Sequence, residues 1–516
     1  MKVVFVNPQI PAAAMNFAHA MDLVGARFAH IPLGLATLAA LTPPGIDVAI
    51  VDENVEPIDP ARLDADVVAM TGIFCQRRRL FELATAFRAR GIHVCIGGPI
   101  ASDAPDEARA HADSLFDGEG ERTWPRFCAD FAAGHPARSY HQAAPIDMAE
   151  SPAPRLDLLH CARYSSACIQ ATRGCPYRCE YCDVPSKLGS RPRTKPIAQV
   201  LGEVRAIAAH GFESAFFVDD MFIGDRAYAK ELLRALARLL PTLPRPLYFY
   251  TQVTLNVARD LELLGLFRAA NFKRFFVGVE TSDVSQLRAL DKRQNTELDI
   301  HDAIARIHAH DIIVWAGLIV GLDGDDGDAF DAQVRLVAET GIVPTLVGLL
   351  QAMPGAPLWD RARREGRLHD LPDIVGSAAH GGADAMATTN LAHDRLATAE
   401  LMTRFAQLVR TIYHPDAYGD ALLCATGRAS RQRLPPLALL NAKTARIVAR
   451  TLAWYVRHPD PAVRRLPRRL LGAWALGRAG LLDELVFHLA LYKHLSIFYA
   501  DAARACAAAA RVAVAA

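Results

Sequence analysis

Two series of alternating strand and helix patterns constrain the fold of this chain more than any other feature. In the first 140 residues, short β-branched runs such as KVVFVNP and HVCIGGP alternate with helical stretches such as PLGLATLAALTP. Strands separated by single helices predict parallel sheets, and ligands of such sheets bind beyond the carboxyl ends of the strands. We therefore predict an α/β chain whose residues 1–140 form a Rossmann-like domain.

A second series of six strand patterns follows a proline-containing linker at residues 141–165. The six patterns are CIQATR, SAFFVDD, LYFYTQVT, RFFVGVE, IIVWAGLIVGL and TLVGLLQAMPG. Six βα units fit a partial (β/α)6 TIM-like barrel, in which functional groups gather where the strands run out into loops. We assign residues 166–365 to this barrel and residues 366–516, where strand patterns stop, to a helical C-terminal region.

Turn residues end the strands of the first series, at Asn7-Pro8, Thr71-Gly72, Gly97-Gly98-Pro99 and Gly118-Glu119-Gly120-Glu121. Such glycines either close tight turns or allow a ligand to approach the backbone. Both interpretations remain open from the residues alone.

Charge and hydropathy exclude some functions. The chain has 57 Lys and Arg against 56 Asp and Glu, so no overall positive field favours nucleic acid. No uninterrupted apolar run reaches the ~18 residues of a membrane span, and we expect a cytoplasmic protein. The basic, amphipathic segment at residues 449–480 either packs against the barrel, which is the simpler interpretation, covers a substrate pocket, or lies on a membrane surface.

Ten cysteines in 516 residues are too sparse for a secreted disulfide scaffold. Cys75, Cys95, Cys128, Cys424 and Cys506 fall singly on apolar patterns and are predicted to be reduced core thiols.

The exception is CPYRCEYC, which places Cys175, Cys179 and Cys182 on one loop after the first barrel strand. Structural zinc takes four ligands, usually as two separated pairs, and no second pair is present, so zinc is the weaker alternative. A cubane iron–sulfur cluster held by three thiolates keeps one iron open for chemistry.

CPYRCEYC, with Tyr181 before the last cysteine, resembles the signature loop of radical S-adenosylmethionine (SAM) enzymes. The resemblance implies a [4Fe-4S] cluster on Cys175, Cys179 and Cys182, whose open iron chelates SAM. It implies cleavage of SAM to a 5′-deoxyadenosyl radical, with electrons from a reductase or from a flavodoxin or ferredoxin.

The resemblance extends along the barrel. FFVDDMF, VGVET and GLIVGL end the second, fourth and fifth strands, where the family binds SAM. Arg191 and Arg193 either pair with the SAM carboxylate or are solvated. The SAM-binding residues implied in this way are Tyr181, Asp219, Asp220, Glu280, Gly317, Gly321 and Arg193.

The stretches NPQIP, IPLGLATLAAL, GGP and GEGE resemble the N-terminal domain of cobalamin-binding radical SAM proteins. With RPRTKPIAQVLGEV in the barrel and TNLAHDRL and YHPDAY beyond it, the chain is similar to hopanoid C-methylases and bacteriochlorophyll-pathway enzymes over about residues 1 to 420. The chain has no DxHxxG motif, whose imidazole would be the lower axial ligand, and neither His19 nor His30 lies in such a motif. Cobalamin would therefore bind with its lower face open. The alternative is a degenerate domain used for packing. The implied cobalamin-binding residues are Pro8, Gly34, Thr71, Gly72, Gly97, Gly98, Gly118 and Glu119.

The resemblance therefore implies a cobalamin-dependent C-methyltransferase. One SAM would methylate cobalamin, and a second would generate the radical that activates a substrate carbon. The substrate is expected to be a small molecule, namely an apolar lipid-like, tetrapyrrole or natural-product compound. The alternatives are a radical SAM cyclase, oxidase or rearrangement enzyme without methyl transfer, and a non-catalytic metal or cobalamin sensor.

Overall fold

The computed structural model describes residues 1–369, 388–393, 395–429 and 442–515. Part of the predicted C-terminal region, at residues 370–387, 394, 430–441 and 516, lies outside the described residues. Two parallel sheets organise the described part of the chain, which confirms the predicted α/β class.

The first sheet has six strands in the order β3-β1-β4-β5-β6-β7, and all of its strand pairs are parallel. Its core strands are rich in valine and isoleucine because both faces are covered by helices. The strands are β1 (Lys2–Asn7), β3 (Asp47–Asp52), β4 (Val67–Thr71), β5 (His93–Gly97), β6 (Ser114–Asp117) and β7 (Ser139–His141).

The second sheet has seven strands in the order β15-β14-β13-β12-β11-β8-β2, again all parallel, and it curls into a partial barrel. A two-residue antiparallel ribbon, β9 (Thr172–Arg173) with β10 (Arg193–Thr194), flanks the cysteine loop. The sheet strands are β2 (Phe28–His30), β8 (Tyr164–Ile169), β11 (Ser214–Phe217), β12 (Tyr248–Val253), β13 (Phe272–Glu280), β14 (Ile313–Val320) and β15 (Thr345–Leu349).

Helices cover both sheets. In the first region they are α1 (Met21–Val24), α2 (Leu33–Leu41), α3 (Arg77–Ala89), α4 (Pro99–Asp103), α5 (Pro105–His111) and α6 (Gly120–Ala132). In the barrel they are α7 (Val184–Leu188), α8 (Ile197–Ala209), α9 (Arg226–Leu239), α10 (Leu261–Ala269), α11 (Val284–Ala289), α12 (Ile300–Ala309), α13 (Gly327–Thr340) and α14 (Pro357–Arg364). Beyond it follow α15 (Thr398–Ile412), α16 (Pro415–Arg428), α17 (Ala442–Arg457), α18 (Pro461–Ala475) and α19 (Leu482–Ala515).

The long helix α19 packs against the barrel rather than standing apart from it. Glu484 accepts hydrogen bonds from the Arg274 guanidinium of β13 at 2.8 and 2.9 Å, and both side chains are buried. Phe487 stacks on Trp315 inside the barrel, with ring centroids 6.0 Å apart. No helix in the described residues has the length and apolar character needed to cross a bilayer.

All six predicted barrel strands are present, and the barrel sheet has a seventh strand, β2, that the sequence did not indicate. The N-terminal region contributes β2 to the barrel sheet, where Phe28 pairs with Tyr164 and His30 with Ser166. Three residues are too few to show a strand period. The strand β7, which completes the first sheet, was likewise not predicted.

Candidate active site

The cysteine loop follows β8 and begins at the β9–β10 ribbon. Cys179 is buried, and Cys175 and Cys182 are partly buried. Gly174 has φ 97°, and an ideal Cβ there would lie 2.9 Å from the Gly189 carbonyl oxygen. Only glycine therefore allows the loop to turn tightly against residues 188–191 before the first thiol.

The three thiols lie near one another in a poorly solvated environment. Burial raises the pKa of Cys175, and it raises the pKa of Cys182 to about 12, with a further contribution from the charges of Cys179 and Cys175. Iron binding would displace these protons, because the thiolate is the ligand form. Within the described residues, no three His, Cys, Asp or Glu side chains are arranged to ligate a single metal ion. The thiols fit a cluster, in which each sulfur binds a different iron.

Asp219 and Asp220, which follow β11, brace the backbone of this loop. Asp219 is fully buried, and its Oδ1 accepts hydrogen bonds from the amides of Ala171, at 3.1 Å, and Thr172. Asp220 Oδ2 accepts from the Gly174 amide at 2.8 Å. Burial raises the pKa of Asp219 to about 7. Both predicted SAM ligands therefore use at least one carboxylate oxygen to hold the cluster loop, and Asp219 Oδ2 has no partner in the described structure.

Glu280, at the end of β13, is part of a compact charged triad. Its Oε1 accepts hydrogen bonds from the Tyr181 hydroxyl and from the Lys292 ammonium, both at 2.6 Å, and Lys292 also donates to the Tyr181 oxygen at 2.8 Å. Burial alone would lower the pKa of Lys292, but the charge of Glu280 raises it above its usual value. The triad links the cysteine loop to the fourth strand of the six-strand series.

Two residues that the sequence analysis did not single out approach the cluster thiols. The side-chain amide of Gln294 donates to the Cys179 sulfur at 3.4 Å. Lys292 lies near Cys179 and Cys182, whose charges contribute to raising the pKa of its ammonium group. Both belong to the stretch DKRQN after α11, which reads as an exposed polar turn. Only the tertiary contact shows that Lys292 and Gln294 are buried.

The two glycines predicted to bind SAM at the fifth strand of the barrel series, β14, occupy different positions. Gly317 lies on β14 opposite Gly278 of β13, close to the triad. Gly321 follows the strand, and its amide donates to the Asp325 carboxylate at 2.9 Å. Burial raises the pKa of Asp325 to about 6.

Arg193 does not face the triad. Its guanidinium donates to both carboxylate oxygens of Glu119 at 2.9 Å, and Arg173 donates to Glu119 and, at 2.9 Å, to Glu121. Burial would raise the pKa of Glu119, but the hydrogen bonds from the Ile146 amide and Arg173 outweigh it and hold that pKa below its usual value. Residues assigned from sequence to SAM and to cobalamin thus form one ion-pair network, which joins the first region to the cysteine loop.

A cavity of ≈ 1490 Å³ lies between the carboxyl ends of the two sheets. The first sheet supplies Thr71, Gly97, Gly98 and Gly118 after β4, β5 and β6, and the barrel supplies Gln170, Val218 and Gln351 after β8, β11 and β15. Its volume exceeds the ~300–1,000 Å³ usual for drug-sized ligands. The cavity therefore suits a large cofactor together with a substrate.

Glycines of the first region expose backbone atoms, and not side chains, to this cavity. Gly98 has φ 76°, and a Cβ there would lie 2.1 Å from Thr71 Oγ1, so no larger residue fits. Gly34 on α2 is exposed, and a Cβ there would meet no atom within 4 Å. This open cradle fits the flat face of a macrocycle such as cobalamin.

Six of the eight predicted cobalamin-binding residues line the cavity: Gly34, Thr71, Gly97, Gly98, Gly118 and Glu119. Pro8 and Gly72 are not in its lining. Pro8 is buried, and its carbonyl accepts a hydrogen bond from Gln76 at 2.6 Å, whereas Gly72 lies against the Leu80 side chain. His30 lies inside the barrel, where its Nε2 is 2.8 Å from the Tyr250 hydroxyl, and His19 stacks on His494.

Comparison with known proteins shows which family this chain resembles. Residues 169–337 match the model of the radical SAM superfamily. The chain is 36% identical over 373 residues to an uncharacterized methyltransferase of Synechocystis sp., covering 72% of this chain and 70% of that protein. It is 29% identical over 518 residues to the hopanoid C-2 methylase of Rhodopseudomonas palustris, covering 98% and 94% of the two chains.

The fold is similar to that of the radical SAM methyltransferase TsrM from Kitasatospora setae, solved with cobalamin and a [4Fe-4S] cluster. The TM-score is 0.60 at 16% identity, with 92% of this chain and 99% of that chain covered. The similarity to the hopanoid methylase continues past residue 420 through the C-terminal helices, farther than the motifs indicated. The chain belongs to the radical SAM superfamily of enzymes.

Proposed function

We propose that this enzyme is a cobalamin-dependent C-methyltransferase that acts on an unactivated carbon of an apolar, lipid-like substrate. The observation that carries the proposal is the single cavity bounded by the carboxyl edges of both sheets. A methyl carrier on one edge and a radical source on the other would both face a substrate held between them. Methyl transfer to carbon requires that proximity.

The walls of the cavity favour an apolar substrate. The first region contributes large hydrophobic side chains, and the segment after β15 contributes Ala352, Met353 and Pro354. Charged side chains also line the cavity, but most of its surface is apolar, which suits a hydrophobic ligand. The similarity to a hopanoid C-2 methylase along almost the whole chain supports a lipid-like substrate.

When bound, the cluster with SAM supplies a 5′-deoxyadenosyl radical, and cobalamin supplies the methyl group. The chain itself provides three thiolates from one loop, held in place by Asp219 and Asp220 through backbone amides. The triad of Glu280, Lys292 and Tyr181 provides a carboxylate, an ammonium and an aromatic ring next to that loop, the groups that would orient SAM.

Ion pairs join the first region to the barrel beside the cavity. Glu119 of the first region binds Arg173 and Arg193 beside the cysteine loop. Lys187 of α7 reaches Asp103 of α4 and also pairs with Asp183 at 2.6 Å. These contacts fix the distance between the cofactor edges, which a radical transfer requires.

The proposal includes two partners. A reductase, flavodoxin or ferredoxin would supply electrons to the cluster. A peripheral contact with a membrane would give access to a lipid-like substrate, which resides in the bilayer.

Anaerobic turnover with a low-potential reductant, methylcobalamin and SAM carrying a deuterated methyl group tests this function, with an unmethylated hopanoid as the probe substrate. We expect S-adenosylhomocysteine and 5′-deoxyadenosine in near-equal amounts and deuterium on carbon in the product. The variant C175A/C179A/C182A is the control and should form no 5′-deoxyadenosine.

Two results would contradict parts of the proposal. A changed product with 5′-deoxyadenosine but no S-adenosylhomocysteine, in cobalamin-replete enzyme, would favour a cyclase or oxidase. Turnover of a tetrapyrrole but not of the hopanoid would overturn the lipid-like assignment while leaving methyl transfer in place.

A further inference from the structure

The helices α17 and α18 have a charge unlike that of the rest of the chain. Residues 442–480 contain nine Lys and Arg and a single acidic residue, Asp460, although the whole chain has a net charge of +1. Positive charge is therefore concentrated on these two helices, which contact each other, and is offset elsewhere in the molecule.

Some of these cations are used within the protein. Arg469 pairs with Asp420, Lys443 pairs with Glu213 at 2.8 Å, and Arg464 donates to the carbonyls of His458 and Pro459 at 2.8 and 3.0 Å. Arg450 donates to the Asp22 carbonyl at 3.2 Å, and the remaining five are exposed and form no ion pair with any residue that the structure describes. We call these five the arginine face: Arg446, Arg457, Arg465, Arg468 and Arg478.

The helix period explains why part of this face stays uncovered. On α18 the buried side chains Val463, Leu466 and Leu470 recur at helical spacing and pack inward. Arg465 and Arg468 lie on the opposite side of the helix, which is exposed. The same side continues to Leu476 just beyond the helix, whose exposed fraction is 70%.

Exposed apolar side chains accompany the arginines. Val456, next to Arg457, is 75% exposed, and with Leu476 it is among the most exposed large hydrophobic residues of the chain. Trp454 and Trp474 are partly buried on the same two helices. Cations interleaved with apolar and tryptophan side chains are the pattern of helices that lie in the interface of an anionic bilayer.

We propose that the arginine face docks this enzyme on an anionic lipid bilayer. The headgroup phosphates would bind the arginines, and Val456 and Leu476 would enter the boundary of the acyl chains. The proposed lipid-like substrate gives a reason for the docking, and the proposal rests on that proposed function. The choice of an anionic bilayer as the partner follows from charge complementarity with the arginines.

Vesicle flotation of the full-length holoenzyme tests the docking. The probes are vesicles of equimolar phosphatidylglycerol and phosphatidylethanolamine, compared with vesicles of phosphatidylcholine alone. We expect binding to the anionic vesicles only, with release at high salt because screening weakens exposed charge pairs. The double variant R465E/R468E should lower the partition coefficient by about tenfold or more.

The matched control is R238E/R245E, which changes the net charge by the same amount. Arg238 and Arg245 are exposed and likewise form no ion pair within the described residues, but they lie by α9 of the barrel. This variant should keep most of the vesicle binding. A further variant, V456S/L476S, should weaken binding without changing its salt dependence.

Several outcomes would overturn the docking proposal. They are equal binding to both vesicle types, unchanged binding of R465E/R468E, an equal loss in R238E/R245E, or retention of single-stranded RNA at a salt concentration where anionic vesicles are not bound. The assay measures partition and not turnover. Its failure would therefore leave the proposed methyl transfer standing, and a failed turnover assay would leave the docking result intact.

Discussion

The carboxyl edges of the two sheets bound the same cavity, but the residues at and behind the two edges differ in chemistry. The edge of the first sheet presents glycines and Thr71, that is, backbone and open space. Close to the barrel edge lie three thiols, two loop-bracing carboxylates and the Glu280–Lys292 ion pair. Under the proposed assignment, one cofactor is held by shape and the other by ligation and charge. Changes at one edge should therefore leave the other cofactor in place.

Removal of the thiols should have the largest effect on the barrel edge. In C175A, C179A and C182A we expect loss of the ~400 nm absorption typical of cluster thiolates and loss of SAM cleavage. Cobalamin binding should persist, because the first sheet is untouched. Retention of the absorption and of SAM cleavage by the triple variant would disprove the ligand assignment.

Breaking the triad should destabilise the protein strongly, because Glu280 and Lys292 are each only 5% exposed. K292M leaves a buried carboxylate without its cation and should lower the free energy of unfolding by about 3–5 kcal/mol. The double variant K292M/E280L should recover most of that loss. Urea unfolding of the apo protein measures the free energy of unfolding of both variants. An equal loss in the two variants would show that the ion pair itself is unimportant.

At the first edge, G98A should impair cobalamin binding without affecting iron content. Gly98 has φ 76° and ψ −165°, a conformation that costs an L-residue about 1–3 kcal/mol, and the new Cβ would also displace Thr71. We expect an affinity loss of about tenfold or more. G45A is the control, because Gly45 has φ 89° but open space around its Cβ and lies outside the cavity lining. Equal cobalamin binding by G98A and wild type would contradict the cradle.

The smallest effect is expected where the two regions meet. E119Q should lower the free energy of unfolding by about 1 kcal/mol at neutral pH, since hydrogen bonds to a charged group are lost. Because the pKa of Glu119 is held below its usual value in the folded protein, its stabilisation is present above that usual value. It is lost as the pH falls through the lowered pKa.

Unfolding curves at neutral and acidic pH measure this effect. The wild type and E119Q should differ at neutral pH and converge in acid. A difference that is constant across this pH range would argue against an ionised Glu119 as its source.

The sequence predicted what is local and missed what depends on tertiary contact. The spacing of Cys175, Cys179 and Cys182 and the strand patterns carry their signal within a few residues, and six of eight cobalamin candidates do line the cavity. Nothing in SRPRTKP shows that Glu119, 74 residues away, is the ion-pair partner of Arg193. The strand β2 was missed because three residues show no period, and Lys292 because a lysine in a polar turn reads as solvated.

Metal analysis of anaerobically purified protein tests the central claim most directly, since iron reports on one edge and cobalt on the other. We expect about four irons and about one cobalt per chain in wild-type protein that has been supplied with cobalamin. We also expect cobalt without iron in C175A/C179A/C182A, and iron with reduced cobalt in G98A. Wild-type protein that binds iron but no cobalt, or variants in which both metals are lost together, would contradict two separately built cofactor edges.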